Sequence, residues 1–459
     1  LKRAQLLTEN WSSPVIITTL VQLLDTLFAG KTSCIRRMHA LCDSVIVIDE
    51  VQTVPNEMLS LFNTAVNFLS EVCGATIVLC SATQPCLEQT AHPITENIKD
   101  IVPFDEELWR VFKRTQIIDK GGMRLDAIPA FIAEQLGTTD SLLVICNLKK
   151  QAAYLFTEMN LGNTVIFHLS AGMCMAHRMA VISEINSALE RKRKNPDAPK
   201  VVCISTQVIE AGVDVSFGCV IRLCAGLDSV IQAAGRCNRN GELNGAADVF
   251  IINCRGEDLG MLRSIKDGKM ACMSLLSDCK YHPEKYPSGL TSDEAVYAYY
   301  KKLYIQSDIG AQDMPIKIDG SPFTLFDLLS LDRTFANAPY LKANGEKYAL
   351  TQAFKTAGSR FTVFGSSTTD VIVPYGEGKE IIVELGSKRA EEDIKYLKKL
   401  IKKARAYTVS LYENQRRALA DSGALHPIAD GIALALSEEF YNEAFGLNLD
   451  GESREAITL

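Results

Sequence analysis

Nowhere do the 459 residues run to about 18 consecutive apolar side chains, so no membrane-spanning helix is expected. A basic excess is also missing: 48 Lys and Arg stand against 55 Asp and Glu, a formal net charge of −7. That excludes a globally basic nucleic-acid binder and confines any such contact to a local groove. No Cys-x-x-Cys pair occurs, and no cysteine follows Cys279. This argues against a zinc or iron–sulfur site. The fourteen cysteines include Cys80, Cys146, Cys203 and Cys219 in apolar strand-like runs. They read as buried thiols in a reducing cytosol, so a cytoplasmic location is expected. The only two tryptophans, Trp11 and Trp109, lie outside any base-stacking string and read as core or interface residues. Lys2 and Arg3 are followed by mixed polar residues rather than a signal peptide, and the start on Leu1 suggests a fragment. The most consequential absence is a phosphate loop. Gly30-Lys31-Thr32 is a decoy, because G-x-x-x-x-G-K-[ST] needs glycine five places before Gly30 and Asp25 stands there.

What is present is an alternation of short apolar runs with helix-length amphipathic stretches, the pattern of an α/β protein with parallel sheets. Strands are expected at Val15–Ile17, Val45–Ile48, Thr76–Cys80, Leu142–Cys146, Thr164–Phe167, Val201–Ser205, Cys219–Leu223 and Asp248–Ile252. Their Val and Ile content with little alternation predicts helices over both sheet faces. The segment near Pro103 to Gly122 is where one sheet should give way to another. Beyond Cys254 the rhythm fades into helical stretches, a Gly-, Thr- and Ser-rich extended segment (Gly358 to Gly386) and two more helical runs. Arg191–Lys200 reads as an exposed loop.

Four short strings carry chemistry. Val45–Glu50 is a strand delivering two carboxylates at its C-terminal end, the edge where α/β sheets bind ligands. Asp49 suits Mg²⁺ held through water, and Glu50 suits orienting and deprotonating a water aimed at the γ-phosphorus of ATP. Ser81–Thr83 supplies small hydroxyls able to bond back to the acidic string. In Ser205–Val215, Thr206 and Gln207 offer donors for a nucleic-acid backbone. Gly212 allows close approach of a nucleotide, and Asp214 suits a ribose hydroxyl or an arginine. In Gln232–Gly241, Arg236 and Arg239 are three apart, so one helical turn would aim both at one phosphate. Each string alone has a bland reading, such as a solvated strand end, a turn, or surface arginines. Together, in this order, they point to a nucleic-acid-driven ATP motor.

The strings VIVIDEVQTVP and SATQP resemble the CRISPR-associated helicase–nuclease of type I systems, a branch of the superfamily-two helicases. So do Ile16–Phe28, Lys31–His39, His168–Arg178 and the arginine string, while Ala406–Tyr412 and Phe445–Asp450 resemble the type I-C branch. The resemblance implies two RecA-like domains, the first incomplete (1–112) and the second at 113–256. A mixed, mainly helical linker and accessory domain would follow at 257–459. It implies an ATP- and Mg²⁺-dependent motor moving 3′ to 5′ on single-stranded DNA, recruited by an RNA-guided surveillance complex. Asp49 and Glu50 would serve metal and water, and Gln52 would link the ATP site to the other domain. Ser81 and Thr83 would couple hydrolysis to movement. Thr18, Thr19, Ser170 and Thr206 would contact DNA, and Gln232, Arg236 and Arg239 would close on ATP. A full family member begins with a nuclease domain carrying an adjacent His-Asp pair. No His-Asp dipeptide occurs among the six histidines, so nuclease activity is not expected here. The missing N-terminal portion would supply the phosphate loop, and the chain alone should hydrolyse almost no ATP. A superfamily-two helicase outside CRISPR defence, and a non-catalytic DNA- or partner-binding module, are the alternatives.

One region lies outside these strings. Lys388–Arg417 holds ten Lys/Arg against four acids, a local charge of +6. Lys395, Lys398, Lys399, Lys402 and Lys403 fall on one helical face and Ile394, Leu397, Ile401 and Ala404 on another. This is either a solvated face over an apolar stripe or a contact for DNA or the surveillance complex. Of the isolated histidines, His168 and His177 lie in a recognised string near the expected DNA path.

Overall fold

The computed structural model describes residues 7, 9–95, 98–102, 113–260, 262–305, 310–331, 342–345, 352–363 and 368–449. They form two compact units. The first comprises residues 1–104, 226–228 and 260–365, and the second 105–225, 229–259 and 366–459. The segment expected as one accessory region, 257–459, is thus divided between them.

In the first unit β1 (Val45–Ile48) pairs in parallel with β2 (Thr76–Leu79), joined through the helix Leu59–Glu71. Leu59, Leu61, Phe62, Ala65 and Leu69 of that helix are buried, and each such large apolar side chain contributes about 1.5–3 kcal/mol over leaving it in water. The expectation of a sheet covered on both faces fails for β1. Val45 and Val47 are 71% and 62% exposed, while Ile48 is buried. Alternate residues point to opposite faces, and among the described residues only one of those faces is packed. Val15–Ile17 is not a strand: Val15 and Ile17 are 81% and 97% exposed in irregular backbone, with no strand partner among the described residues. Trp11 is buried, whereas Trp109 and the rest of 103–112 lie outside the described residues.

The second unit is built on six parallel strands. They are β3 (Thr115–Arg124), β4 (Ser141–Ile145), β5 (Thr164–Leu169), β6 (Lys200–Ser205), β7 (Cys219–Leu223) and β8 (Ala247–Arg255), in spatial order β3-β8-β7-β4-β6-β5. Five of the six coincide with expected runs to within a few residues. Here the two-sided cover holds: Leu142, Val144, Val202 and Ile221 pack one face, and Leu143, Ile145, Val201 and Val220 the other. The chain moves from β4 outward to β5 and β6, then crosses to β7 on the other side of β4. The carboxyl ends of β4, β6 and β7 therefore flank a topological switch point, where open α/β sheets place ligands.

Arg191–Lys194 is not loop but the last turn of the helix Met175–Lys194, and Lys200 opens β6. Basic residues in a last helical turn suit the helix dipole. Farther on, β9 (Pro315–Ile318) and β10 (Ser321–Thr324) form a hairpin in the first unit. A four-stranded sheet of β11 (Thr368–Ile372), β12 (Thr408–Tyr412), β13 (Leu425–Ile428) and β14 (Ala433–Leu436) belongs to the second. The segment expected to be extended, Gly358 to Gly386, instead contains β11 and the helix Gly378–Leu385, whose Ile381 and Leu385 are buried. A last short hairpin, β15 (Tyr441–Asn442) and β16 (Gly446–Leu447), closes the described chain.

Candidate functional site

In the first unit, Asp49 and Glu50 follow β1 directly. Asp49 is exposed, and its Oδ1 accepts from the Glu50 backbone N–H at 3.0 Å. Glu50 has φ 54°, a left-handed conformation that is uncommon for a non-glycine residue and is over-determined here by several bonds. Thr53 donates its hydroxyl to the Glu50 carbonyl at 2.7 Å, and the Gln52 amide donates to the Glu50 carboxylate. On the other side, Ser81 Oγ lies 2.5 Å from Gln52 Oε1, and Thr83 N donates to Ser81 Oγ at 3.0 Å. Glu50, Gln52, Ser81 and Thr83 thus form one hydrogen-bonded relay across the carboxyl ends of β1 and β2. Among the described residues no group of three or more His, Cys, Asp or Glu stands around Asp49 to hold a metal ion.

The relay continues through residues that no string announced. The Thr83 hydroxyl lies 3.3 Å from Tyr300 Oη, and neighbouring Tyr299 donates to Asp228 at 2.9 Å. Both tyrosines sit on the helix Asp293–Ile305, and burial raises both phenols well above their ordinary pKa. They act as neutral hydrogen-bonding groups. Nothing in the sequence said which residue of that helix would meet Thr83.

Gly30-Lys31-Thr32 lies between two helices, Leu20–Phe28 and Thr32–Ile35, not between a strand and a helix. Gly30 serves close backbone packing: its N–H donates to the Gly358 carbonyl at 3.1 Å, and a Cβ on Gly358 would meet Gly30 Cα at 2.7 Å. Thr19 caps the first of these helices by accepting from Gln22 N at 3.2 Å, and Thr18 beside it is exposed.

In the second unit the strings meet at the switch point. Arg222, wholly buried at the end of β7, lies 2.8 Å from the buried carboxylate of Glu210. It also donates to Asn147 Oδ1 at 2.7 Å. Asn147 in turn donates to the Cys224 carbonyl and to Glu257, and Gln207 donates to the Asn147 carbonyl at 3.3 Å. The loops after β4, β6, β7 and β8 are thereby tied into one polar network. Glu210 was visible in its string, but Arg222 and Asn147 were not, because buried polar residues in apolar runs carry no periodic signal.

Arg236 and Arg239 do not sit on a helical turn. The helix Leu227–Ala234, which carries Gln232, ends before them. Arg236 is buried and donates to the carbonyls of Ile209 (2.9 Å) and Glu210 (2.5 Å). Arg239 is half exposed and pairs with Asp214 at 3.0 Å. The two guanidinium groups hold different partners, so the expected common aim is corrected. Gly235 at the helix end breaks the register that would have aligned them. Gly212 has φ +70°, with open space where a Cβ would stand.

Ser170 and Thr206, expected at the DNA backbone, are each 2% exposed. Ala171 N donates to Thr206 Oγ1 at 3.3 Å, and Ser170 Oγ donates to the Phe445 carbonyl at 3.4 Å. The hairpin β15–β16 covers Ser170 and its neighbour Gly172, with Leu447 N donating to the Gly172 carbonyl at 2.8 Å. His168 and His177 lie beneath the same hairpin. His177 bonds Tyr441 Oη at 2.9 Å and the Glu443 carbonyl at 3.0 Å. Burial, with His177 nearby, pushes the His168 pKa down to about 4. A cleft of about 840 Å³ lined by Thr139, Ser216, Asn238 and Glu242 opens at the opposite, amino edge of the sheet, and Asn238 there belongs to the arginine string.

The six-stranded parallel sheet, with a polar network across the carboxyl ends of its strands, defines an α/β chain of RecA-like fold. Residues 138–242 match the family described as CRISPR-associated nuclease/helicase Cas3, C-terminal. A Cas3 nuclease/helicase of Haloferax volcanii is 25% identical over 327 aligned residues, covering 52% of this chain and 35% of the relative. Among solved structures, that of T. fusca Cas3-ADP superposes with TM-score 0.50 at 14% identity, covering 79% of this chain and 46% of that one. A chain of a pre-nicking CRISPR RNA-guided surveillance complex gives TM-score 0.52 at 15% identity, covering 88% and 54%. Over part of its length the chain is similar to Cas3 nuclease/helicases, and it spans about a third of the length of that curated relative.

Proposed function

We propose that this chain is the motor portion of an ATP-dependent single-stranded DNA translocase of CRISPR antiviral defence. The observation that carries the reading is the Glu50–Gln52–Ser81–Thr83 relay. It joins a carboxylate suited to activating water to hydroxyls on the neighbouring strand, so loss of a phosphate at one end changes hydrogen bonding at the other. In this reading Asp49 holds Mg²⁺ through water and Glu50 orients the attacking water. Gln232 closes on ATP through its neutral amide while Arg236 and Arg239 neutralise the phosphate charge, Gly212 and Asp214 adjoin the nucleotide, and Arg239 exchanges Asp214 for phosphate. Thr18, Thr19, Gln207, and, once uncovered, Ser170 and Thr206 contact the DNA backbone. Residues 1–112 and 113–256 serve as the two halves of the motor, with 257–459 as accessory segments. An RNA-guided surveillance complex in the cytoplasm is the proposed partner.

Since the sequence holds no phosphate-loop motif, ATP turnover by this polypeptide should be near background. It should rise when a segment carrying that loop is supplied together with single-stranded DNA. In the completed protein Glu50→Gln should lower kcat by at least about 100-fold, in the range of general-base loss, with KM little changed. Full turnover by the chain alone, or a Glu50→Gln variant as active as the parent, would refute the reading. The second reading, a non-catalytic binding module, rests on the absent phosphate loop, and unstimulated turnover after complementation would favour it.

A further inference from the structure

The helix Ile394–Ala404 presents Lys395, Lys398, Lys399, Lys402 and Lys403 to solvent on one face, while Leu400 and Ala404 pack against Ile372, Ile381, Leu385 and Ala390. The spacing i, i+3, i+4, i+7, i+8 makes every lysine a neighbour of another. Like charges at these separations destabilise a helix. A face that serves only solvation tends to pair its charges, and two other basic runs of this chain do so. In the helix Met175–Lys194, Lys192, Arg193 and Lys194 pair with Asp140, Glu242 and Glu190. In the helix Glu413–Asp421, Arg416 and Arg417 share Glu413. None of the five lysines has an acidic partner among the described residues. Of the acids adjoining the helix, Asp393 caps its N-terminus through Lys395 N and Tyr396 N, Glu384 accepts from Tyr396 Oη at 2.6 Å, and the exposed Glu391 and Glu392 form no ion pair with these lysines among the described residues. In a chain of net charge −7, this face is uncompensated positive charge on a rigid, anchored element.

We propose that the lysine face of Ile394–Ala404 binds the phosphate backbone of a nucleic-acid strand, as a contact separate from the residues assigned to DNA above and independent of ATP. Five ammonium groups spread over about 12 Å of helix match about three or four consecutive phosphates at duplex spacing. The face offers point charges and no free aromatic plane, since Tyr396 is occupied by Glu384 and lies under Arg389. Recognition is therefore by charge and insensitive to base sequence.

The test is binding of the full chain to a fluorescent single-stranded oligonucleotide without nucleotide, titrated at several salt concentrations. Lys398→Gln/Lys402→Gln is compared with Lys194→Gln/Lys379→Gln, which removes the same charge from paired, exposed lysines, with circular dichroism confirming the fold of each. Losing two phosphate contacts should flatten the salt slope by about 1.4 and weaken binding about 10- to 30-fold near 0.1 M salt. The control pair should leave both unchanged. An unaltered slope in the first variant, or equal loss in the control, overturns the proposal. So does poly-glutamate binding the parent as tightly as the oligonucleotide, which would make the face a dock for acidic protein. ATPase results do not enter, so failure of this proposal and failure of the motor reading are distinguishable.

Discussion

Arg222 shows most clearly how a single residue holds the second unit's site. Its guanidinium is fully enclosed between Glu210 and Asn147. Removing one partner of a buried ion pair leaves an uncompensated charge, which typically costs about 3–5 kcal/mol. Arg222→Ala should therefore lower stability by about that amount in denaturant titration. The double variant Arg222→Met/Glu210→Gln, which removes both charges, should recover much of the loss. His168 gives a pH signature. Its folded pKa, about 4, lies below the unfolded value of about 6.5. The native state thus binds fewer protons there, and its contribution is complete above pH 6.5 and declines as pH falls through the window from 6.5 to 4, by up to about 3 kcal/mol. Thermal melts of the parent should show this decline, and His168→Phe, among Phe156 and Phe445, should reduce it.

Among the elements, the terminal hairpin β15–β16 decides which site residues meet solvent. Gly446 has φ +77°, and a Cβ there would lie 2.4 Å from the Gly172 carbonyl oxygen, a backbone atom that cannot step aside. Gly446→Ala should detach the hairpin from Ser170–Met173. Amide exchange at those residues should accelerate, and a cysteine placed at Ser170 should become reactive to a thiol reagent. Unchanged protection would show that the hairpin seats without that close approach. The basic helix behaves in the opposite way: its apolar stripe was legible by period, except that Ile394 is 66% exposed. Ile394 is the first helical residue and precedes the turn that contacts the neighbouring helix. The strands of the second sheet were legible because both faces are packed, so almost every residue of β4, β6 and β7 must be apolar. β3, carrying Gly121 and Gly122 at a register shift, lacks such a run and was not placed.

Across the whole molecule, the division into units cuts across chain order. Residues 260–365 return to the first unit and 366–459 to the second. A reading by rhythm places one accessory region where the chain builds two attachments. Periodicity reports which face of an element is buried but not against which partner. In the proposed motor Glu50 and Arg236 serve the same turnover, so variants at the two should be non-additive, each alone removing most of what both remove.

By itself, the sequence determined the α/β class, the core strands of the six-stranded sheet and the order of the four strings. Those depend on local composition and on residues a few positions apart. Tertiary structure alone decided that Arg236 turns inward to two carbonyls and that Tyr300 extends the Thr83 relay. It alone decided that Phe445 covers Ser170, 275 residues away along the chain. The physical reason is that a buried polar side chain is defined by the partner that satisfies it, and that partner comes from whichever distant segment the packed core brings alongside.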